Sequence, residues 1–168
     1  MKWQDLSQQD CSVARTLAVI GDRWTLMILR DLFLGATRFE DFQNSLGISR
    51  TTLSERLQGL EREGVVRKVA YQEKPTRYKY RLTSKGVDLH GVMMTIVNWG
   101  DKYYAGDEGG PVLHRHKHCG EDFSPVLSCS ECGEAVTPFD TEVRVNPAYE
   151  ELLEQVSWRS DSRRSGGS

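Results

Sequence analysis

Three cysteines and three histidines crowd between His114 and Cys132 of this 168-residue chain. Cys129-Ser130-Glu131-Cys132-Gly133 has the two-residue spacing that lets a tight turn aim both sulfurs at one metal, with Gly free to turn the backbone just after. His116-Lys117-His118-Cys119-Gly120 repeats that layout with one imidazole. Together His116, Cys119, Cys129 and Cys132 form a His-Cys-Cys-Cys set suited to structural Zn²⁺, with no position left open for catalysis. His114 or His118 could replace His116, although a shared tetrahedron using adjacent His118 and Cys119 would be strained. A metal-free redox pair at Cys129 and Cys132 is the competing reading, but such a pair normally needs a βαβ setting that this stretch lacks.

Cys11 stands apart. It precedes an apolar helix-forming run, a position that favours a reactive thiolate; the alternative is a buried, inert thiol. A second concentration of chemistry is basic. The net charge is −2, yet residues 49–85 carry 10 basic and 4 acidic side chains. Residues 1–104 hold 16 Lys and Arg against 12 Asp and Glu, whereas residues 105–168 hold 6 against 12. Clustered cations can neutralise phosphates whatever the overall pI; a solvated face of mixed charge is the alternative.

These groups need elements to position them. Val13, Leu17 and Ile20, then Trp24, Met27, Ile28 and Leu32, recur at helical spacing, and Asp22 is placed to cap the second of two helices. Thr37 is expected to cap a short helix with apolar Phe39, Phe42 and Leu46, ended by Gly47. Ser49 then caps Arg50–Arg62, whose Leu53, Leu57 and Leu60 fall at i, i+4 and i+7, with Gly64 as the stop. Helix, tight turn, helix is the spacing of a helix-turn-helix. Val65–Tyr71 and Tyr78–Thr83 read as strands, joined by the polar connector Gln72–Arg77, and they carry Arg67, Lys68, Lys74, Arg77, Lys79 and Arg81. A helix-turn-helix followed by a basic hairpin is a winged helix, with its second helix in the major groove. Ser84 is expected to cap one long helix from Lys85 to about Tyr104, whose apolar surplus predicts a dimer.

The fold class is therefore α+β, mostly α. Residues 1–104 form the winged helix with terminal dimerisation helices, 105–112 a Gly-Pro linker, 113–147 a zinc-ribbon-like segment, 148–158 a short helix and 159–168 a flexible tail. Hydrophobic residues make up 38% and charged residues 27%, the balance of a soluble globular protein. No apolar run approaches a membrane span, and the first ten residues lack the core of a secretion signal, so a cytoplasmic protein with reduced thiols is expected. A Gly-rich phosphate loop, paired catalytic carboxylates and a nucleophile elbow are all missing, which argues against an enzyme.

Ordered motifs add a resemblance. Cys11-Ser12-Val13-Ala14, Ile20-Gly21-Asp22-Arg23-Trp24-Thr25-Leu26, Arg38-Phe39-Glu40-Asp41-Phe42, Gly47-Ile48-Ser49, Leu53-Ser54-Glu55-Arg56-Leu57 and Leu60-Glu61-Arg62-Glu63-Gly64 follow one another, continuing to Trp99-Gly100. Residues 11–104 thereby closely resemble the HxlR family of bacterial transcription regulators, relatives of the MarR winged helices. The resemblance implies a cytoplasmic homodimer on palindromic operator DNA. By matching positions it places Ser49, Arg50, Thr51, Thr52, Ser54 and Arg56 at the entry of the recognition helix, and Lys74, Arg77 and Lys79 on the wing. In some members a cysteine at the position matching Cys11 senses oxidants or electrophiles, which makes Cys11 a candidate sensor beside the inert-thiol reading. A redox, electrophile or small-molecule inducer is the expected signal. A winged-helix protein-interaction adaptor with a structural zinc module and no specific DNA binding is the alternative function.

Overall fold

A computed structural model describes residues 6–144 and 146–149. The chain divides into two compact units, residues 1–125 and 126–168. Helix α1 spans Ser12–Ile20 and α2 spans Arg23–Phe33. The Asp22 carboxylate caps α2, accepting the backbone N–H of Trp24 at 3.0 Å and of Thr25 at 3.3 Å. Helix α2 buries Ile28, Leu29 and Leu32, then stops ahead of Gly35, whose φ of +102° suits glycine.

Helix α3, Phe39–Leu46, departs from its expected cap. The N-cap residue is Arg38 rather than Thr37, and Asp41 does the capping. Its carboxylate reaches back to accept the backbone N–H of Arg38 at 2.8 Å and of Thr37 at 3.1 Å, satisfying two donors that a Thr37 hydroxyl would leave open. The Arg38 amide, then the Thr37 amide, hold the Asp41 carboxyl below its usual value. Gly47 turns the chain at φ +62° into Ser49, whose hydroxyl accepts the Thr52 N–H at 3.1 Å and starts α4, Arg50–Arg62.

Strands β1, Val66–Glu73, and β2, Thr76–Leu82, pair antiparallel. Pairing of Gln72 with Arg77 and of Glu73 with Thr76 extends both strands beyond their expected ends, so the turn is only Lys74-Pro75. The following helix is two pieces, α5 at Ser84–Val87 and α6 at His90–Tyr104. Thr83, not Ser84, caps α5, accepting the Gly86 N–H at 3.2 Å while its hydroxyl donates to the Gly64 carbonyl at 2.6 Å. A Cβ at Gly86 would collide with the Val65 carbonyl, so this corner requires glycine. The core joins α1 through Ile20, α2 through Ile28 and Leu29, α3 through Phe42, α4 through Leu53, Leu57 and Leu60, the hairpin through Val66 and Tyr80, and α6 through Met93.

The first unit continues past the Gly-Pro linker to Pro125. Val112, Leu113 and Phe123 line a pocket of about 510 Å³ with Phe33, Met93 and Val97, which ties residues 112–123 to the winged-helix body. Pro147–Tyr149 is a single 3-10 turn. Apart from Ala148 and Tyr149, the expected helix at 148–158 and the tail at 159–168 lie outside the described residues. Among the described residues no helix is long and apolar enough to cross a membrane.

Replacing Asp41 by Ala should lower stability to chemical denaturation by about 0.5–2 kcal/mol. The folded-state carboxyl lies below 3.8, so this contribution is complete above pH 3.8 and is lost as pH falls through the depressed value. The difference between Asp41→Ala and the parent should therefore shrink in acid; a difference independent of pH would contradict the capping role.

Candidate nucleic-acid interface

Helix α4 has three apolar side chains, Leu53, Leu57 and Leu60, and all are turned inward. Their burial leaves Arg50, Thr51, Glu55 and Gln58 exposed and Thr52, Ser54 and Arg56 half-buried. The structure gathers the expected α4 residues on one element, though not all with free side chains. Ser49 and Thr52 hydroxyls lie 2.9 Å apart and bond each other. Ser54 accepts from the Gln58 amide at 3.2 Å. Arg56 donates from Nε to the Asp22 carboxylate at 2.8 Å, bridging α4 to the cap of α2 instead of pairing with Glu55 or Glu63. Arg50 lies across α3, its guanidinium 4.9 Å from the Phe39 ring centre and 3.3 Å from the Gln43 Oε1. That stacking holds the Arg50 cation at the start of α4 while leaving it in solvent.

The hairpin has two different faces. Val66, Lys68, Ala70, Tyr78, Tyr80 and Leu82 share one, with Val66 and Tyr80 buried and the Lys68 ammonium over the Tyr78 and Tyr80 rings at 5.4 and 5.8 Å. Burial, ahead of the Glu61 and Glu40 charges, raises the Tyr80 phenol above its usual value. The other face pairs Arg67 directly with Arg81 and Val69 with Lys79. Arg38 bridges to Lys79 from the start of α3 and stacks its guanidinium 5.1 Å from the Tyr71 ring centre. Like charges placed directly opposite destabilise a sheet pair unless an anion joins them. Lys74 and Arg77 are exposed at and beside the turn. Motif spacing did not single out Arg38 or Arg81 as interface residues. Arg81 becomes legible only once the strand register is known, and Arg38 only once α3 is packed on the hairpin.

Cys11 occupies the N-cap position of α1 and is exposed. The His/Cys motifs form two separate hooks. In the first unit, His116 Nδ1 lies 3.3 Å from the Cys119 Sγ, and the His118 ring is 6.2 Å from that of His116. In the second, the backbone N–H of Cys132, followed by that of Glu131 and the Cys132 thiol, lowers the Cys129 thiol from its usual value. All four cysteines are free thiols. Among the described residues, no three His, Cys, Asp or Glu side chains gather as a metal-holding group.

A capped helix presented beside a cationic two-stranded wing defines the class of winged helix-turn-helix DNA-binding regulators. Residues 19–108 match the HxlR-like helix-turn-helix family. The chain is 42% identical over 142 residues to the uncharacterised HTH-type transcriptional regulator Rv3095 of Mycobacterium tuberculosis, covering 84% of this chain and 90% of that protein. Among solved structures, PA1607, provisionally named a transcription factor, superposes with a TM-score of 0.75 at 34% identity over 84% of this chain and 99% of its own. The redox regulator HypR in its reduced form follows with a TM-score of 0.52 at 29% identity, over 55% of this chain and 92% of its own. The chain belongs to the HxlR-like helix-turn-helix family, and it is a transcriptional regulator of the HxlR and MarR type rather than an enzyme.

Proposed function

We propose that this regulator works in the cytoplasm and binds palindromic operator duplex as a homodimer, α4 lying in the major groove and the hairpin on the backbone or minor groove. The carrying observation is the outward face of α4. Its leucines are committed to the core, and Arg50 and Thr51 stand in solvent at its first turn. Of the sequence candidates, these two are the best suited to read base edges. Arg50 keeps its exposure although it bonds Gln43 at 3.3 Å. Thr52 and Arg56 are half-buried and, with Ser49, bond within the protein at 2.8–2.9 Å, which suits them to positioning and phosphate contacts. Ser54 is a further candidate on the same helix, and Lys74, Arg77 and Lys79 serve phosphates along the wing, joined by the opposed Arg67 and Arg81.

Dimerisation is supported by what α6 leaves uncovered. Val92, Ile96, Trp99 and Tyr103 recur at i, i+4, i+7 and i+11, and they are 39%, 45%, 57% and 59% exposed. Val13 and Leu17 of α1 are 67% and 43% exposed. A second copy of the chain, bringing the same stripe, is the occupant that also matches a two-fold operator. Cys11 is the proposed input for an oxidant or electrophile: its thiol is exposed at a helix N-cap, and the structural neighbour HypR is named a redox regulator. A small-molecule inducer is the other input in keeping with the family.

Arg50→Ala should weaken binding to the specific duplex by about 1–3 kcal/mol and hardly change binding to random duplex, whereas Lys74→Ala should weaken both alike. Measured by fluorescence anisotropy, an Arg50 effect equal on both duplexes would remove the base-reading role, and no binding at all would favour a protein-interaction adaptor. Sedimentation equilibrium should show a dimer that Trp99→Glu shifts to monomer; a monomeric parent chain would end the homodimer reading. Cys11 should alkylate at pH 7 faster than free cysteine, and an equal or slower rate would remove it as the sensor.

A further inference from the structure

The pocket of about 510 Å³ lies wholly within the first unit, between the end of α2, one face of α6 and the strap of residues 112–123. The strap lies outside residues 19–108, so the cavity is an addition to the family's own domain. Gly110 seats it, since a Cβ there would collide with the Asp101 carboxylate of α6. The strap then folds into a closed turn. The Phe123 N–H donates to the His114 carbonyl at 2.9 Å, and the His116 N–H to the Glu121 carbonyl and the Gly120 N–H to the His116 carbonyl at 2.8 Å each. Arg115 and Asp122 pair across it at 3.4 Å. The second unit repeats this turn with Val136 on Leu127 at 2.9 Å, and Cys129 on Glu134 and Gly133 on Cys129 at 2.8 Å. Its shape therefore comes from its own backbone, and the wall it builds is present before any ligand arrives.

Size and lining define what fits. Small-molecule sites occupy roughly 300–1,000 Å³ and combine an apolar wall with a few polar groups. Here buried Met93 and Met94 and half-buried Phe33 and Val97 face Leu113 and Phe123 of the strap. No Asp or Glu lines the pocket. Two of its cations are answered nearby, Arg30 by Asp31 and Arg115 by Asp122. Lys117 has no ion pair among the described residues, so one positive charge is left for an occupant. An apolar body with a single negative charge matches that balance, whereas a polyanion would find too few free cations. The pocket also touches both helices that matter for DNA. Helix α2 holds Arg56 of α4 through Asp22, and α6 carries the exposed Val92, Ile96 and Trp99 stripe on the side opposite Met93, Met94 and Val97. We propose that this pocket is an effector site for an apolar monocarboxylate, an aryl ring or an acyl chain whose charge pairs with Lys117; its regulatory half rests on the DNA-binding reading.

Calorimetric titration of the full-length chain with decanoate and naphthoate, and with uncharged decanol and naphthylmethanol, tests the site without DNA. At least one carboxylate should bind once per chain, and its alcohol should bind at least about tenfold more weakly. Decanoate alone would identify an acyl ligand and naphthoate alone an aryl one. Lys117→Glu should weaken carboxylate binding about tenfold and leave the alcohol unchanged. Leu113→Glu should weaken both. The two positions are exposed, so neither change touches the core. Independently of any variant, the Met93 and Met94 methyl NMR signals should shift as the carboxylate is added. Saturating carboxylate should also change affinity for the specific duplex by at least about fivefold. No binding by either carboxylate, alcohols that bind equally well, undisturbed methyl signals or an unchanged duplex affinity would overturn the proposal. A chain that takes up carboxylate yet never binds duplex keeps the ligand site and loses the DNA reading instead.

Discussion

Burial of three leucines fixes how the recognition helix is presented. Leu53, Leu57 and Leu60 are the only large apolar side chains of α4, each at most 1% exposed. Burying a leucine is worth about 1.5–3 kcal/mol, so turning α4 about its axis to hide its polar faces would forfeit several kcal/mol. The helix therefore has one stable rotation. In that rotation Arg50 and Thr51 meet solvent, Arg56 reaches Asp22, and Ser49 is spent on the first turn. The narrow stripe that makes α4 look weakly amphipathic is what keeps most of its surface free for a ligand.

The wing is fastened to the same body. The Tyr80 N–H donates to the Thr37 carbonyl at 2.7 Å, the Phe42 and Tyr80 rings meet edge to face at 6.2 Å, and Arg38 bridges to Lys79. Helix α3, which sets the turn into α4, thus also sets the base of the hairpin. Cations from both elements are carried by one rigid frame. Opposing Arg67 with Arg81 costs the free protein some sheet stability, a cost that phosphate binding would offset.

What was legible in the sequence is local, and what was not depends on distant residues meeting. Asp22 and Ser49 bond amides two or three residues away, so their cap roles could be read directly from residue type and position. The three leucines of α4 announced their buried face by spacing alone. The partner of Arg56 could not be read from spacing, because Asp22 lies 34 residues earlier. Thr37 looked like a cap for α3, yet Asp41 on the other side of the helix start holds both amides at once. Gly86 within α5 packs against the Val65 carbonyl, a contact that no helical periodicity reveals. Spacing exposed the His/Cys motifs, but only the backbone hydrogen bonds show that the two turns are copies of one another.

Dependence of duplex affinity on salt tests the account at its root, because the proposed DNA-binding role rests on phosphate neutralisation by α4 and the wing. Each neutralised phosphate contributes a slope of about −0.9 in log K against log [salt]. With Lys74, Arg77 and Lys79 engaged from each of two copies, the slope for the unmodified protein should be steeper than about −4. A slope near zero, or no measurable association at low ionic strength, would contradict it.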